Sequence, residues 1–121
     1  MNDRIILTGS SGFIGKSLTI NLLNKKYYIY ALLNYNKKNK NLASHLKKKY
    51  KNYKPIFIKD IKELKNKLCN LKVKIIINLA SRYLRSHNFS EMIDLINSNI
   101  LFTTAVLEAI PKNSLKKYIN I

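Results

Sequence analysis

Apolar runs of strand length alternate with segments of helical period along most of the chain. "RIILTG" (4–9) predicts a buried strand, followed by a helix over about 13–24 with Ile14, Leu18 and Leu22 on one face. "YYIYALLN" (27–34) predicts a second strand, and the polar "YNKKNKN" leads into a short helix carrying Leu42, Leu46 and Tyr50. "PIFIKD" (55–60) predicts a third strand, its proline suited to a strand start at a sheet edge. "IKELKNKL" (61–68) predicts a mostly solvated helix, and "VKIIINLAS" (73–81) a fourth strand. The longest helix is expected from Ser90, as N-cap, to Ile110, with Glu91 and Asp94 in its first turn and Pro111 as its stop. "KKYINI" (116–121) predicts a fifth strand.

Strand and helix in strict alternation imply a parallel sheet covered on both faces, an α/β doubly wound fold. The expected strand order is 3-2-1-4-5, in one dinucleotide-binding domain over 1–121 that stops after the fifth strand. The long helix carries two apolar stripes: Ile93, Ile96, Ile100 and Leu107, expected to face the sheet, and Leu95, Phe102, Val106 and Ile110, expected to face another element.

All three glycines of the chain fall in "TGSSGFIG", between the first strand and the first helix. A P-loop requires a glycine five positions before the Gly-Lys-Ser/Thr, and that position is Ser10, with Gly9 one residue too early. A Walker-B-like reading of "IFIKD" fails because Lys59 interrupts the apolar run. As a dinucleotide turn the spacing makes sense. Gly9 supplies the tight turn, Gly12 lets backbone N–H groups approach a pyrophosphate, and Gly15 lets the helix pack on the strand. The helix N-terminus then faces the pyrophosphate with its dipole.

The spacing Gly-x-x-Gly-x-x-Gly resembles the cofactor turn of the extended short-chain dehydrogenase/reductases, the NAD(P)-dependent nucleotide-sugar epimerases, dehydratases and reductases. The resemblance implies that Thr8, Gly9, Ser11, Gly12, Phe13, Ile14 and Gly15 line the cofactor. It continues in order along the chain. "KDI" (59–61) is similar to the pair that contacts the adenine, which implies that role for Asp60 and Ile61. "IIINLAS" resembles the fourth-strand segment, with Asn78 at a place usually held by histidine and Leu79, Ala80 and Ser81 on the cofactor. "NSNILFTTAVLEAI" resembles the long helix whose asparagine, here Asn99, supports the catalytic site.

Two departures matter. NAD-preferring members carry an acid at the end of the second strand; the matching places here are Leu33 and Asn34, with Lys37 and Lys38 just beyond. NAD and NADP both remain open, with the lysines tilting the choice toward NADP. The resembled chemistry also uses a Ser/Thr and a Tyr-x-x-x-Lys pair after the fifth strand, which these 121 residues do not contain. Tyr50–Lys54 falls before the third strand, and Tyr83 is followed four residues later by His87. The expectation is therefore the cofactor-binding portion of a nucleotide-sugar enzyme, of the kind that makes deoxysugars for bacterial surface polysaccharide, inactive by itself. A non-catalytic dinucleotide-binding module or sensor is the alternative, and a basic nucleic-acid-binding domain the third reading. The resemblance further implies a nucleotide-sugar substrate and a homodimer through the 90–110 helix.

Charge changes this picture little. The net charge is +17, but lysines are spread along most of the chain and arginine, the preferred residue for forked phosphate contacts, is rare. No nucleic-acid partner is expected. No apolar run approaches the roughly 20 residues of a membrane span and no signal-peptide pattern opens the chain, so a cytoplasmic, membrane-free protein is expected. His45, His87 and Cys69 have no metal-ligand spacing; His45 is expected in solvent and Cys69 buried or half-buried as an apolar filler. "SRYLRSHN" (81–88) follows the fourth strand where α/β ligands bind, so Arg82, Tyr83 and Arg85 are candidates for substrate phosphates.

Overall fold

A computed structural model describes residues 3–81 and 84–121. The strands are β1 (Arg4–Thr8), β2 (Tyr28–Asn34), β3 (Tyr53–Ile58), β4 (Ile75–Asn78) and β5 (Lys117–Asn120). They form one parallel sheet in the order β3-β2-β1-β4-β5, as the alternation of strands and helices predicts. The helices are α1 (Phe13–Asn24), α2 (Lys37–Lys49), α3 (Glu63–Leu68), α4 (Phe89–Ile96) and α5 (Phe102–Ala109).

Alternate residues of each strand enter opposite layers, because successive side chains point to opposite faces. Ile5, Leu7, Ile29, Ala31 and Leu33 pack with Leu23 of α1 and with Ala43 and Leu46 of α2. Ile6, Tyr30, Leu32, Ile56 and Ile76 pack with Leu64 and Leu68 of α3 and with Val106 and Ala109 of α5. Because the strands are parallel, each helix begins at the carboxyl edge of the sheet, where ligands bind in open α/β folds.

Several expectations are corrected. β3 begins at Tyr53, two residues before Pro55, because Tyr53 is opposite Ile29 in register and buried. Pro55 fits there because β3 is an edge strand. On α1 the buried positions are Gly15, Thr19 and Leu23, with Leu18 and Leu22 only partly covered and Ile14 63% exposed. The phase is set by Gly15, which brings the helix against the turn, and by Thr19, whose hydroxyl donates to the Gly15 carbonyl at 2.6 Å. Cys69 is exposed beyond the end of α3, since its neighbour Leu68 takes the core position.

The long helix differs most. Its N-cap is Asn88, not Ser90: the Asn88 side chain accepts from the Glu91 N–H at 2.9 Å and Glu91 reaches back, a capping box. Residues Asn97–Leu101 form a π-helical turn between α4 and α5. Apart from Leu107, which packs on the core as expected, the stripe assignment is inverted. Val106 and Ile110 are buried and Phe102 packs beside them, whereas Ile93, Ile96 and Ile100 are 49%, 45% and 61% exposed. Only α5, beyond the π-turn, lies close on the sheet and α3; α4 contributes no buried residue.

Candidate dinucleotide site

Each glycine of the turn between β1 and α1 has a different physical reason. Gly9 has φ +69°, and an added Cβ would stand 2.7 Å from the Ala80 nitrogen. A Cβ on Gly15 would stand 2.0 Å from the Gly9 carbonyl oxygen. These two are required by backbone conformation and packing. Gly12 is neither: its φ is −73°, and an added Cβ would meet only the Gly9 oxygen, at 3.5 Å. Nothing in the chain's own packing demands a glycine there, so the open space above it is available to a ligand.

Gly12 is the N-cap of α1 and supplies no side chain to its first N–H groups. By helix geometry those donors lack intrahelical partners, and no acid stands in the first turn. Phe13 is 92% exposed beside them. Ser10, 3% exposed, keeps a buried hydroxyl with no hydrogen-bond partner. An open cradle, outward N–H groups and a buried orphan hydroxyl fit an anionic phosphate ligand.

Beside the turn lies a cleft of about 630 Å³ at the carboxyl edge of the sheet. Leu32 and Leu33 of β2, Ile58 of β3 and Ile61 give it apolar lining, and Asp94, Asn97 and Ser98 polar lining, with Gly9, Ser11, Asn34 and Ala80 also lining it. Of the residues expected on the cofactor, Gly9, Ser11, Asn34, Ile61 and Ala80 line this cleft, and Gly12, Phe13, Ile14 and Gly15 form the adjoining turn and helix start. Asp60 does not line it; its carboxylate accepts from the Lys62 N–H at 2.9 Å and shapes the turn into α3. Asn99 is exposed and outside the lining, where its neighbours Asn97 and Ser98 stand instead. Ser81 is exposed, and Leu79 packs partly into the α1–α2 layer. Arg85 is exposed, while Arg82 and Tyr83 lie outside the described residues. Tyr50 ends α2 and Lys54 is on β3, so that Tyr-x-x-x-Lys match is remote from the cleft.

The strand register brings Thr8 and Asn78 together. Thr8 is opposite Asn78, and Asn78 is opposite Asn120. The Thr8 hydroxyl donates to the Asn78 side-chain oxygen and accepts from the Ala80 N–H at 3.2 Å. The Asn78 amide donates to Asn120 at 2.8 Å and to Thr103 of α5 at 3.2 Å. Thr8 and Asn78 are 0% and 4% exposed. An amide has both donor and acceptor to offer here, so asparagine joins three strands and a helix under the floor of the cleft. Nearby, burial pushes the Tyr118 phenol up. At the outer end of β2, Tyr35 accepts from the Lys40 ammonium at 2.5 Å, and that hydrogen bond with the charges of Lys40 and Lys59 holds its phenol below the usual range.

Sequence reasoning missed Leu32, Ile58, Asp94, Asn97, Ser98, Leu101 and Phe102 as cleft residues. Asp94, Asn97, Ser98 and Leu101 follow the spacing i, i+3, i+4, i+7 of a single helix face, a signal visible in the chain. Among the described residues no three His, Cys, Asp or Glu side chains gather as a metal site, and no helix is long and apolar enough to cross a membrane.

A doubly wound sheet with a glycine cradle at its first crossover defines a Rossmann-type protein. Residues 5–121 match the NAD dependent epimerase/dehydratase family, and the chain belongs to it. It is 33% identical to a dTDP-D-glucose 4,6-dehydratase of Dictyostelium discoideum over 98% of its length, which is 28% of that relative. The fold is shared with Pen from Bacillus thuringiensis (TM-score 0.78, 18% identity, 97% of this chain and 37% of that one). It is also shared with ElxO, solved with NADPH bound (TM-score 0.74, 22% identity, 90% of this chain and 49% of that one).

Proposed function

We propose that this chain is the NAD(P)-binding part of a nucleotide-sugar epimerase, dehydratase or reductase. The observation that carries the reading is the selective openness at Gly12, beside Gly9 and Gly15 whose missing Cβ atoms the chain itself requires. The pyrophosphate would rest on the α1 N-terminus over Gly12, Phe13 and Ile14, and Thr8 would hold the Ala80 backbone that closes the turn. The adenine would enter the cleft that Leu33 and Ile61 line together with the polar residues of α4 and the π-turn. Asp60 would hold the Ile61 backbone in place through its bond to Lys62.

The bound dinucleotide supplies hydride chemistry; the residues described here bind, orient and shield it. No tyrosine–lysine pair stands at the described cleft, so these 121 residues are expected to bind cofactor without turning over nucleotide sugar. The exposed Ile93, Ile96 and Ile100 support assembly as a homodimer through α4 and the π-turn. Surface-polysaccharide deoxysugar synthesis is the context that the family resemblance favours.

Gly12→Val tests the cofactor reading. Its side chain would fill the cradle without touching the packing that Gly9 and Gly15 protect, so far-UV spectrum and melting temperature should stay near wild type. Calorimetry should show NAD(P) binding reduced by at least about 100-fold, the loss expected when a close backbone approach is blocked. Equal affinity in the two proteins would contradict the assignment.

A further inference from the structure

β3 stands at one end of the sheet, so its outer side faces no neighbouring strand. Which backbone groups lie on that side follows from the ladder. The Asn52 and Ile58 carbonyls accept from the N–H groups of Ile29 on β2 and of Tyr35 just beyond it. Backbone direction alternates along a strand, so Lys54 and Ile56 also face β2, while Tyr53, Pro55, Phe57 and Lys59 face outward. An outward row of this kind is a template for pairing with another chain.

At three of these four positions a donor or acceptor is missing or taken. Pro55 has no N–H to give. The Phe57 carbonyl accepts from the Lys67 ammonium. The Lys59 N–H donates to the Glu63 carboxylate at 3.1 Å. Glu63 and Lys67 stand one turn apart on α3 and pair with each other at 3.2 Å. The Lys59 N–H first, and Lys67 second, hold the Glu63 carboxyl below its ordinary range. An exposed pair of this spacing adds little to stability, so its main consequence is geometric: it occupies the end of the edge. Lys54, Lys59 and Lys67 also place like charges along the groove of about 540 Å³ that follows the strand.

We propose that Pro55, Glu63 and Lys67 close the outer edge of β3 against a second copy of this chain. Pairing of two β3 edges needs the Phe57 carbonyl and the Lys59 N–H that α3 already holds. It also brings the edge lysines of both copies together, which opposes the contact. The sheet is thereby prevented from extending on its β3 side.

The test compares wild type with Glu63→Ala/Lys67→Ala, with the same pair plus Pro55→Val, and with Lys65→Ala as a control on the same helix. Amide hydrogen exchange and sedimentation are the measurements. In the double variant the Lys59 amide should exchange at least about 10-fold faster, and in Lys65→Ala it should match wild type. The triple variant should self-associate at least about 10-fold more tightly than wild type, with new protection at the Phe57 amide. Unchanged Lys59 exchange in the double variant would overturn the proposal, and that result does not depend on how the triple variant folds. Association of the triple variant no tighter than wild type, or association that leaves Phe57 unprotected, would overturn it as well.

Discussion

At the scale of single residues, burial decides roles that residue type leaves open. Tyr53 is 4% exposed within the α1–α2 layer, and burial pushes its phenol up to about 12 from 10.0. A phenol whose folded pKa is raised stabilises the fold fully below its unfolded pKa, and that contribution is lost as pH rises through the folded value. The window is therefore about pH 10 to about 12, and up to about 2 kcal/mol is at stake from a two-unit shift discounted for partial solvation. Denaturant unfolding of wild type and Tyr53→Phe across that window isolates this group, since lysine titration is common to both. The wild-type stability should fall more steeply; parallel curves would contradict the burial argument. Asn78 and Cys69 teach the same lesson in opposite directions. Neither the amide's place in a buried network nor the thiol's exposure is encoded by identity; each follows from what stands opposite or adjacent in the fold.

At the scale of elements, strands were easier to read than helix faces. β1, β2 and β4 are apolar runs bounded by turns, and their pairing follows from alternation with helices. The phase of the long helix was illegible because residues 93–110 are apolar on two sides, and the π-turn then changes the angular relation between them. On α1, Ile14 reads as core by type but is exposed, because Gly15 and Thr19 set the contact with the sheet. The glycine turn was legible because conformation selects glycine at Gly9 and close packing selects it at Gly15, whereas the chain's own packing leaves Gly12 unconstrained.

The observed faces give distinct outcomes for two kinds of change. Val106→Ala, in the core, should cost about 1–3 kcal/mol by denaturant unfolding. Ile100→Glu, on the exposed face, should change stability by about 0.5 kcal/mol or less and lower self-association in sedimentation. Phe102→Glu should destabilise the fold, because Phe102 packs beside Val106. A costly Ile100→Glu with a silent Val106→Ala would reverse the face assignment.

At the scale of the whole molecule, two apolar layers hold the sheet and leave its carboxyl edge free for ligand. Ion pairs contribute little: Lys67–Glu63, Lys74–Asp3 and Lys112–Glu108 are all substantially solvent-exposed. The net charge of +17 instead sets the field around the cleft, which favours an anionic ligand at any orientation. The central claim is that a dinucleotide lies across this edge with its pyrophosphate at the start of α1. Amide chemical-shift mapping during titration with NADP+ tests it most directly. The account predicts the largest saturable shifts at Gly12, Phe13 and Ile14, with a second group at Asn34 and Ile61. Shifts confined to the lysine-rich end of α2, or none at the glycine turn at saturating cofactor, would contradict it.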